Sequence, residues 1–178
     1  PGASCQPLLY QAAFSGDQQA VGPLITQPPI LVDEPTTFMY NEKPYEPADF
    51  QNQYSGEVTL RRALAHSMNI PAVKVAGMVG YDKVAAIARA VGLNGDIQAT
   101  PSIALGAYEV MPIEIAGAYT VFPNGGIFKK PGYIDSLRDP QGRTIFHNPA
   151  QTKPALAPPR APLVLNLTVE DVSNRPRA

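Results

Sequence analysis

The chain has 178 residues, 44% of them hydrophobic, and a formal net charge of −1 at pH 7. This length and apolar content fit about one domain with its own core. Only 16% of the residues are charged and the two signs nearly balance, which argues against nucleic acid or an anionic membrane surface as a partner. The 20 prolines and 14 glycines exceed average usage but stay below the range typical of disorder, so we expect a folded domain with long connections.

Cysteine and histidine are scarce in this sequence. Cys5 is the only cysteine, which excludes an internal disulfide, and the two histidines lie at spacings unrelated to it. We therefore expect no metal and no cofactor. No apolar run reaches the roughly eighteen residues of a membrane-spanning helix, and no signal peptide is recognisable. Because the chain begins at Pro1, we expect any targeting segment or membrane anchor to lie upstream of it.

The first part of the sequence predicts one short helix followed by a long connection. Pro7 to Phe14 is apolar and carries proline in its first turn, where a missing N–H is tolerated. Residues 15–57 form a polar, proline-marked and irregular stretch, and a connection of that length is usually functional or disordered. Within it, residues 30–32 and 36–40 are candidate short strands.

Three helices are predicted next. Thr59 is a good N-cap for the first, whose apolar face begins at Leu60. Pro71 starts the second, which runs to about residue 79. Asp82 is the predicted N-cap of the third helix, and Gly92 its C-terminal stop.

The second half of the sequence predicts a buried helix and a hairpin. Residues 112–122 contain one charged residue, Glu114, and an apolar surface all round indicates a buried central helix. Residues 133–137 and 144–147 flank a turn sequence and are typical of a β-hairpin. A proline-rich linker, residues 149–162, then leads to a last helical pattern over residues 163–172.

Four windows in a fixed order resemble the transpeptidase domain of class A, bifunctional penicillin-binding proteins. The first, PGASCQP from residue 1, resembles the family's P-G-S-x-x-K-P. The second, YSGEVTLRRALAHSMNIPAVKV from residue 54, resembles G-x-V-T-L-R-x-A-L-x-x-S-x-N-x-P-A-V. The third, PSIALGAYEVMPIEIAGAYTVFPNGG from residue 101, is close to the family's P-S-x-A-L-G-x-x-E-V-T-P-L-E-x-A-x-A-Y-x-x-F-A-N-G-G. The fourth, residues 164–175, is similar to the helix that precedes the family's K-T-G strand.

The resemblance places two substitutions in the acylating pair of the S-x-x-K motif. Ala3 stands at the position of the nucleophilic serine, and Gln6 at that of the lysine that takes its proton. Alanine cannot form an acyl-enzyme, and a glutamine amide cannot accept a proton near neutral pH. The sequence therefore predicts a domain that does not acylate.

A shifted nucleophile is the alternative to a lost one. Ser4 is one residue further along, about 100° round a helix from the site, and the residue three positions on from it, Pro7, offers no base. Cys5 is the more nucleophilic group, but it occupies a position that the family fills with a core side chain, which favours a buried structural thiol. An active D,D-transpeptidase or carboxypeptidase acting through Ser4 or Cys5 stays open at this stage.

The second family motif, S-x-N, is present as Ser67-Met68-Asn69. In the family, this serine relays protons to the leaving group and this asparagine binds the carbonyl of the substrate peptide, so the resemblance implies a ligand-binding role for Ser67 and Asn69. A helix end followed by a capping asparagine is the structural alternative. K-T-G does not occur; Thr152-Lys153-Pro154 has the reverse order and reads as coincidence.

Three further side chains invite catalytic interpretations that the sequence does not favour. His66, beside Ser67, points about 100° away from it on a helix and reads as a solvated residue. Glu109 and Glu114 offer little support for a carboxylate-pair glycosidase. With Met111 before Pro112, where the family often has threonine, Glu114 lacks the side chain of a capping-box partner.

The resemblance implies an α/β fold of the penicillin-binding and serine β-lactamase type, with a central antiparallel sheet flanked by helices, here cut before the K-T-G strand. It implies peptidoglycan stem peptide or a β-lactam as ligand, and a glycosyltransferase domain upstream in the same protein. It also implies a place at the extracytoplasmic (periplasmic) face of the bacterial inner membrane. Two other hypotheses remain at this stage: the active enzyme with a shifted nucleophile, and a non-functional remnant.

Overall fold

The computed structural model describes residues 2–14, 30–93, 96–156 and 164. The predicted helix over residues 163–172 therefore lies, apart from Val164, outside the described residues, as does the first part of the predicted connection, residues 15–29. The α-helices are α1 (Gln6–Phe14), α2 (Leu60–Ala65), α3 (Asn69–Val79), α4 (Tyr81–Ala90) and α5 (Pro112–Tyr119). Within these ranges, short 3₁₀ helices span Gly2–Cys5, Phe50–Asn52 and Pro101–Leu105.

The strands form antiparallel pairs, so the described fold mixes helices with small antiparallel sheets. The strands are β1 (Ile30–Asp33), β2 (Phe38–Tyr40), β3 (Lys43–Tyr45), β4 (Gly56–Thr59), β5 (Ile127–Lys129), β6 (Ser136–Arg138), β7 (Thr144–His147) and β8 (Thr152–Pro154). Within the described ranges they form four two-stranded sheets, β1–β4, β2–β3, β5–β8 and β6–β7. The predicted hairpin over residues 133–147 is confirmed as β6–β7.

Two proline-marked segments contain strands that were not predicted. Within the connection over residues 15–57, the candidate strands 30–32 and 36–40 are confirmed as β1 and β2, whereas β3, which holds Pro44, was not predicted. A two-stranded sheet accepts proline because an edge strand has N–H groups that need no partner. The linker predicted over residues 149–162 likewise includes β8, which pairs with β5 so that Ile127 faces Pro154. The two paired strands are far apart in the sequence, and the prolines around β8 do not predict a strand.

The hydrophobic core surrounds α1 and α3. The side chains of Leu9 and Tyr10 on α1 and of Ile70 and Val73 on α3 have at most 1% of their surface exposed. Helix α1 packs on both α3 and α4. Because α3 begins directly after Ser67-Met68, this packing fixes the position of the S-x-N motif relative to the helix that starts at Gln6.

The junction between α2 and α3 is a Schellman motif with serine where glycine is usual. The Thr59 hydroxyl accepts from the Arg62 amide at the start of α2, as predicted for an N-cap. At the helix end, the Ser67 amide donates to the Leu64 carbonyl and the Met68 amide donates to the Ala63 carbonyl. Ser67 itself has φ of 53°, the left-handed conformation that this motif requires.

The predicted N-cap of α4 is wrong. The helix starts at Tyr81 with Gly80 as its N-cap, and Asp82 lies within its first turn. A carboxylate there still interacts favourably with the helix dipole. Gly92, with φ of 89°, follows the C-cap Val91 as predicted.

The prediction of a buried central helix over residues 112–122 is also wrong for this chain. α5 ends at Tyr119, and within it only Gly117 and Ala118 are fully buried. Pro112 and Ala116 are exposed. The apolar sequence predicts burial on all sides, but the described residues cover only one side of the helix.

Candidate functional site

The positions of the S-x-x-K motif lie at the N-terminus, on the 3₁₀ helix Gly2–Cys5 and the first residue of α1. Ala3 is exposed, and Gln6 is 2% exposed. The two positions therefore differ in burial. Successive residues of a 3₁₀ helix are about 120° apart, so Ser4 is displaced from Ala3 by about that angle, close to the displacement predicted.

Two contacts hold this N-terminal segment against the rest of the fold. The Gly2 amide donates to the Gly106 carbonyl at 3.1 Å, and the Tyr119 hydroxyl donates to the Ser4 carbonyl at 2.7 Å. Burial and, secondarily, the neighbouring Cys5 raise the pKa of the Tyr119 phenol to about 12. The phenol therefore stays a hydrogen-bond donor at neutral pH.

Cys5 faces an apolar cavity of about 20 Å³. Leu8, Leu9, Ile97 and Ile103 are among its lining residues. Burial raises the pKa of the Cys5 thiol. A thiol kept protonated in an apolar pocket is a poor nucleophile, which supports the structural interpretation of Cys5.

Ser67 and Asn69 are both half-buried, and Asn69 is fixed from two directions. Its side-chain Nδ2 donates to the Ala48 carbonyl at 2.7 Å. Its backbone amide donates to Asp49 Oδ1 at 2.7 Å, and the Ile70 amide donates to the same oxygen at 3.0 Å. Asp49 thus satisfies two of the unpaired N–H groups at the start of α3.

The two motifs are not joined by a side-chain hydrogen bond among the described residues. Gln6 Nε2 is buried and has no hydrogen-bond partner there. A buried donor without a partner is destabilising. Burial disfavours a charged ammonium more than a neutral amide. A lysine at position 6 would therefore have its pKa lowered by burial.

Sequence reasoning missed the carboxyl pair beneath this motif. Asp33 at the end of β1 is 1% exposed, and its carboxyl interacts with that of Asp49, which is 8% exposed. The two residues are 16 positions apart in sequence, in a stretch interpreted as an irregular connection. Only the antiparallel pairing of β1 with β4 brings Asp33 to the start of α3, and no local pattern reports such a pairing.

The remaining candidates play no part in this arrangement. His66 is exposed, as predicted. The Glu114 carboxylate accepts from the Met111 amide at 3.0 Å, so it forms its half of a capping box although the methionine supplies no hydroxyl. Lys153, in the reversed K-T-G sequence, lies on β8 with its ammonium 5.4 Å from the centroid of the Phe128 ring. Among the residues the structure describes, no cluster of three acidic, histidine or cysteine side chains offers a metal site.

No helix of the described ranges is long and apolar enough to cross a bilayer.

Comparison with known proteins gives consistent results. Residues 30–161 match the family model for the penicillin-binding protein transpeptidase domain, a span that contains Ser67 and Asn69 but neither Ala3 nor Gln6. The chain is 34% identical over 159 residues to penicillin-binding protein 2D of Bacillus subtilis (strain 168), covering 88% of this chain and 22% of that protein. It is 30% identical to penicillin-binding protein 1A of Haemophilus influenzae, whose crystal structure superposes with a TM-score of 0.73 over 85% of this chain and 22% of that one.

A more distant structure agrees on the fold. Penicillin-binding protein A of M. tuberculosis covers 99% of this chain and 44% of its own with a TM-score of 0.81, at 22% identity. The chain spans about a fifth of the length of the curated relatives it matches. The predicted fold class is confirmed, and the chain belongs to the penicillin-binding protein transpeptidase domain family.

Proposed function

We propose that this chain is a transpeptidase-like module of a peptidoglycan-building protein and that it no longer forms an acyl-enzyme. The observation that carries the proposal is the presence of Ala3 and Gln6 at the positions of the nucleophile and its base. A methyl group cannot attack a carbonyl carbon. An amide also takes no proton from a neighbouring hydroxyl near neutral pH.

The S-x-N half of the site supports a retained binding role. Asn69 is held by Ala48 and Asp49, and Ser67 keeps a left-handed backbone conformation at the helix junction. Residues held in sparsely populated conformations concentrate at functional sites. The ligand we propose is the stem peptide of peptidoglycan or a β-lactam that resembles it, and the module serves for binding or as a scaffold.

The proposal extends to the whole protein. A glycosyltransferase domain in the same protein supplies polymerase activity, and an anchor outside this chain places the module at the periplasmic face of the bacterial inner membrane. The similar proteins of Bacillus subtilis and Haemophilus influenzae are penicillin-binding proteins several times longer than this chain, which supports a multidomain parent. No nucleic acid and no cofactor enter the proposal.

A shifted nucleophile is the competing proposal, and the contacts weigh against it. Cys5 lies in an apolar cavity that keeps its thiol protonated. The backbone at Ser4 is held by the hydroxyl of Tyr119, and three residues further along Pro7 offers no base.

Intact mass after incubation with a labelled penicillin tests the proposal. In an acylation the serine Oγ attacks the β-lactam carbonyl and the ring C–N bond opens, so the protein gains the mass of the whole drug. We expect no adduct on the natural protein and one adduct on the Ala3→Ser, Gln6→Lys double variant. Burial of a lysine at position 6 lowers its pKa, which favours the neutral amine that the reaction needs.

The single variant Ala3→Ser is the matched control. It restores the nucleophile without the base, so its adduct should form slower than that of the double variant by about 10²–10⁴-fold. An adduct on the natural protein that maps to Ser4 or Cys5 would make the chain an acylating enzyme and overturn the proposal. No adduct on the double variant would contradict a retained binding site.

A further inference from the structure

The buried carboxyl pair beneath Asn69 has more oxygen acceptors than the described residues have donors for them. Asp49 Oδ1 accepts from the amides of Asn69 and Ile70. Asp33 Oδ2 accepts from the Ser55 amide at 2.8 Å. The other oxygen of Asp33, Oδ1, is buried and receives no N–H or O–H from any described residue.

A proton on one of the two carboxyls supplies the missing hydrogen-bond donor. Two ionised carboxylates in contact repel each other, and burial removes the water that would screen them. If one of the two carboxyls is protonated, its O–H donates to the other, and the oxygen left over on Asp33 gains a partner. An unsatisfied buried acceptor is destabilising, so the protonated pair is favoured over the doubly ionised one.

We propose that Asp33 and Asp49 share one proton, and that Asp49, a positioning residue, uses this pair to hold Asn69 and the start of α3. The pair joins three segments of the chain: β1, the segment before the 3₁₀ helix Phe50–Asn52, and the S-x-N motif. Its importance for ligand binding rests on the function proposed above. The pair itself is tested below without any ligand, so failure of one proposal is distinguishable from failure of the other.

Titratable groups near the pair come from α1, α3 and β4. From α1, the buried Tyr10 phenol interacts with Asp49, and this carboxyl, after burial, raises the pKa of Tyr10. From α3, the Lys74 ammonium donates to the carbonyl of Val32, next to Asp33, at 2.6 Å. On β4, Glu57 lies opposite Val32 and is exposed, whereas Asp33 is buried.

The proton makes the stability of the fold depend on pH in one direction. Burial first, and the hydrogen bond to Asp33 second, raise the pKa of the Asp49 carboxyl above its ordinary value of 3.8, although the two amides at α3 oppose this rise. The folded protein thus binds the proton more tightly than the unfolded chain. Its contribution to stability is full below the ordinary carboxyl value and is lost as pH rises through the folded-state pKa.

The experiment follows the backbone amides of Asn69 and Ile70 by NMR from about pH 4 to about pH 8, together with the urea midpoint of unfolding. In the natural chain we expect both amide signals to shift in one step centred above the ordinary carboxyl pKa, and the midpoint to fall over the same range. In Asp49→Asn the side-chain oxygen still accepts from both amides, and its NH₂ donates permanently to Asp33. This variant should show no such step and should keep its urea midpoint as pH rises.

Asp33→Asn is the second variant. It donates an amide hydrogen to Asp49 and removes the other carboxyl, so the step at Asn69 and Ile70 should move to lower pH. The proposal is overturned if the natural chain shows no step above the ordinary carboxyl value, or if the same step persists in Asp49→Asn. It is also overturned if Asp33→Asn leaves the step unmoved.

Discussion

Ser67 combines two features that are seldom found in one residue. It stands at the serine position of the S-x-N motif, and its φ of 53° is a conformation that L-residues other than glycine adopt at a cost of about 1–2 kcal/mol. A helix end of this type ordinarily carries glycine, which adopts such a conformation freely. We therefore predict that the hydroxyl of Ser67 serves ligand binding and not stability.

Ser67→Gly should therefore stabilise the fold. Relief of the backbone strain is offset in part by the greater freedom of glycine in the unfolded chain, so we expect a gain of about 0.5–1 kcal/mol. Urea unfolding followed by circular dichroism measures this gain.

Ser67→Ala is the control for that measurement. It removes the same hydroxyl but keeps a Cβ and hence the strain, so its free energy of unfolding should stay near that of the natural chain. If alanine stabilised as much as glycine, the hydroxyl rather than the backbone would be the source of the effect.

At the scale of elements, the N-terminal 3₁₀ helix depends on a close approach between two glycines. A Cβ at Gly106 would collide with the carbonyl oxygen and the amide nitrogen of Gly2. Gly106 also has φ of 65°. The segment that carries Ala3 can therefore reach its place only because residue 106 has no side chain.

Gly106→Ala should displace this segment and destabilise the fold by about 2–4 kcal/mol, which combines left-handed strain with overpacking. Gly125→Ala is the matched control, because its φ of 61° is similar but no atom lies within 4 Å of the Cβ position. The free energy of unfolding of the control should fall only by the cost of left-handed strain, about 1–2 kcal/mol. Equal losses in thermal or urea unfolding would show that the contact with Gly2 contributes nothing.

Local signals in the sequence were sufficient for several elements. Thr59 precedes an apolar helical pattern and caps α2, and Gly92 follows α4 at the expected place. The start of α4 was misplaced because Asp82 is an equally good N-cap by type, whereas the Gly80 backbone turns the chain before it. Proline obscured β3 and β8, whose strand character comes from a partner and not from their own residues.

For the candidate site, the sequence predicts which residues belong to it but not what surrounds them. Ala3, Gln6, Ser67 and Asn69 were found by their place in recognisable windows. Their environment was not predictable, because the 3₁₀ helix at Ala3 depends on the distant Gly106. The contacts of Asn69 depend likewise on a segment 20 residues before it in sequence.

At the scale of the whole molecule, one group of exposed apolar side chains lies at the β6–β7 hairpin. Tyr133, Ile134, Leu137, Ile145 and Phe146, all within or beside the β6–β7 hairpin, are between 47% and 87% exposed. Leu137 and Phe146 face each other across the two strands. Exposed apolar groups gathered on a two-stranded sheet with free edges promote association between copies.

We therefore expect the 178-residue chain to self-associate in a concentration-dependent manner and the Ile145→Thr, Phe146→Thr variant to do so less. Threonine is β-branched, a shape that suits a strand, and surface substitutions of this kind usually change stability by no more than about 0.5 kcal/mol. Sedimentation velocity at several concentrations measures the effect. Met78→Gln, which removes an apolar side chain that is 55% exposed on α3, is the control and should leave association unchanged. If both variants reduced association alike, total apolar exposure and not the hairpin would control it.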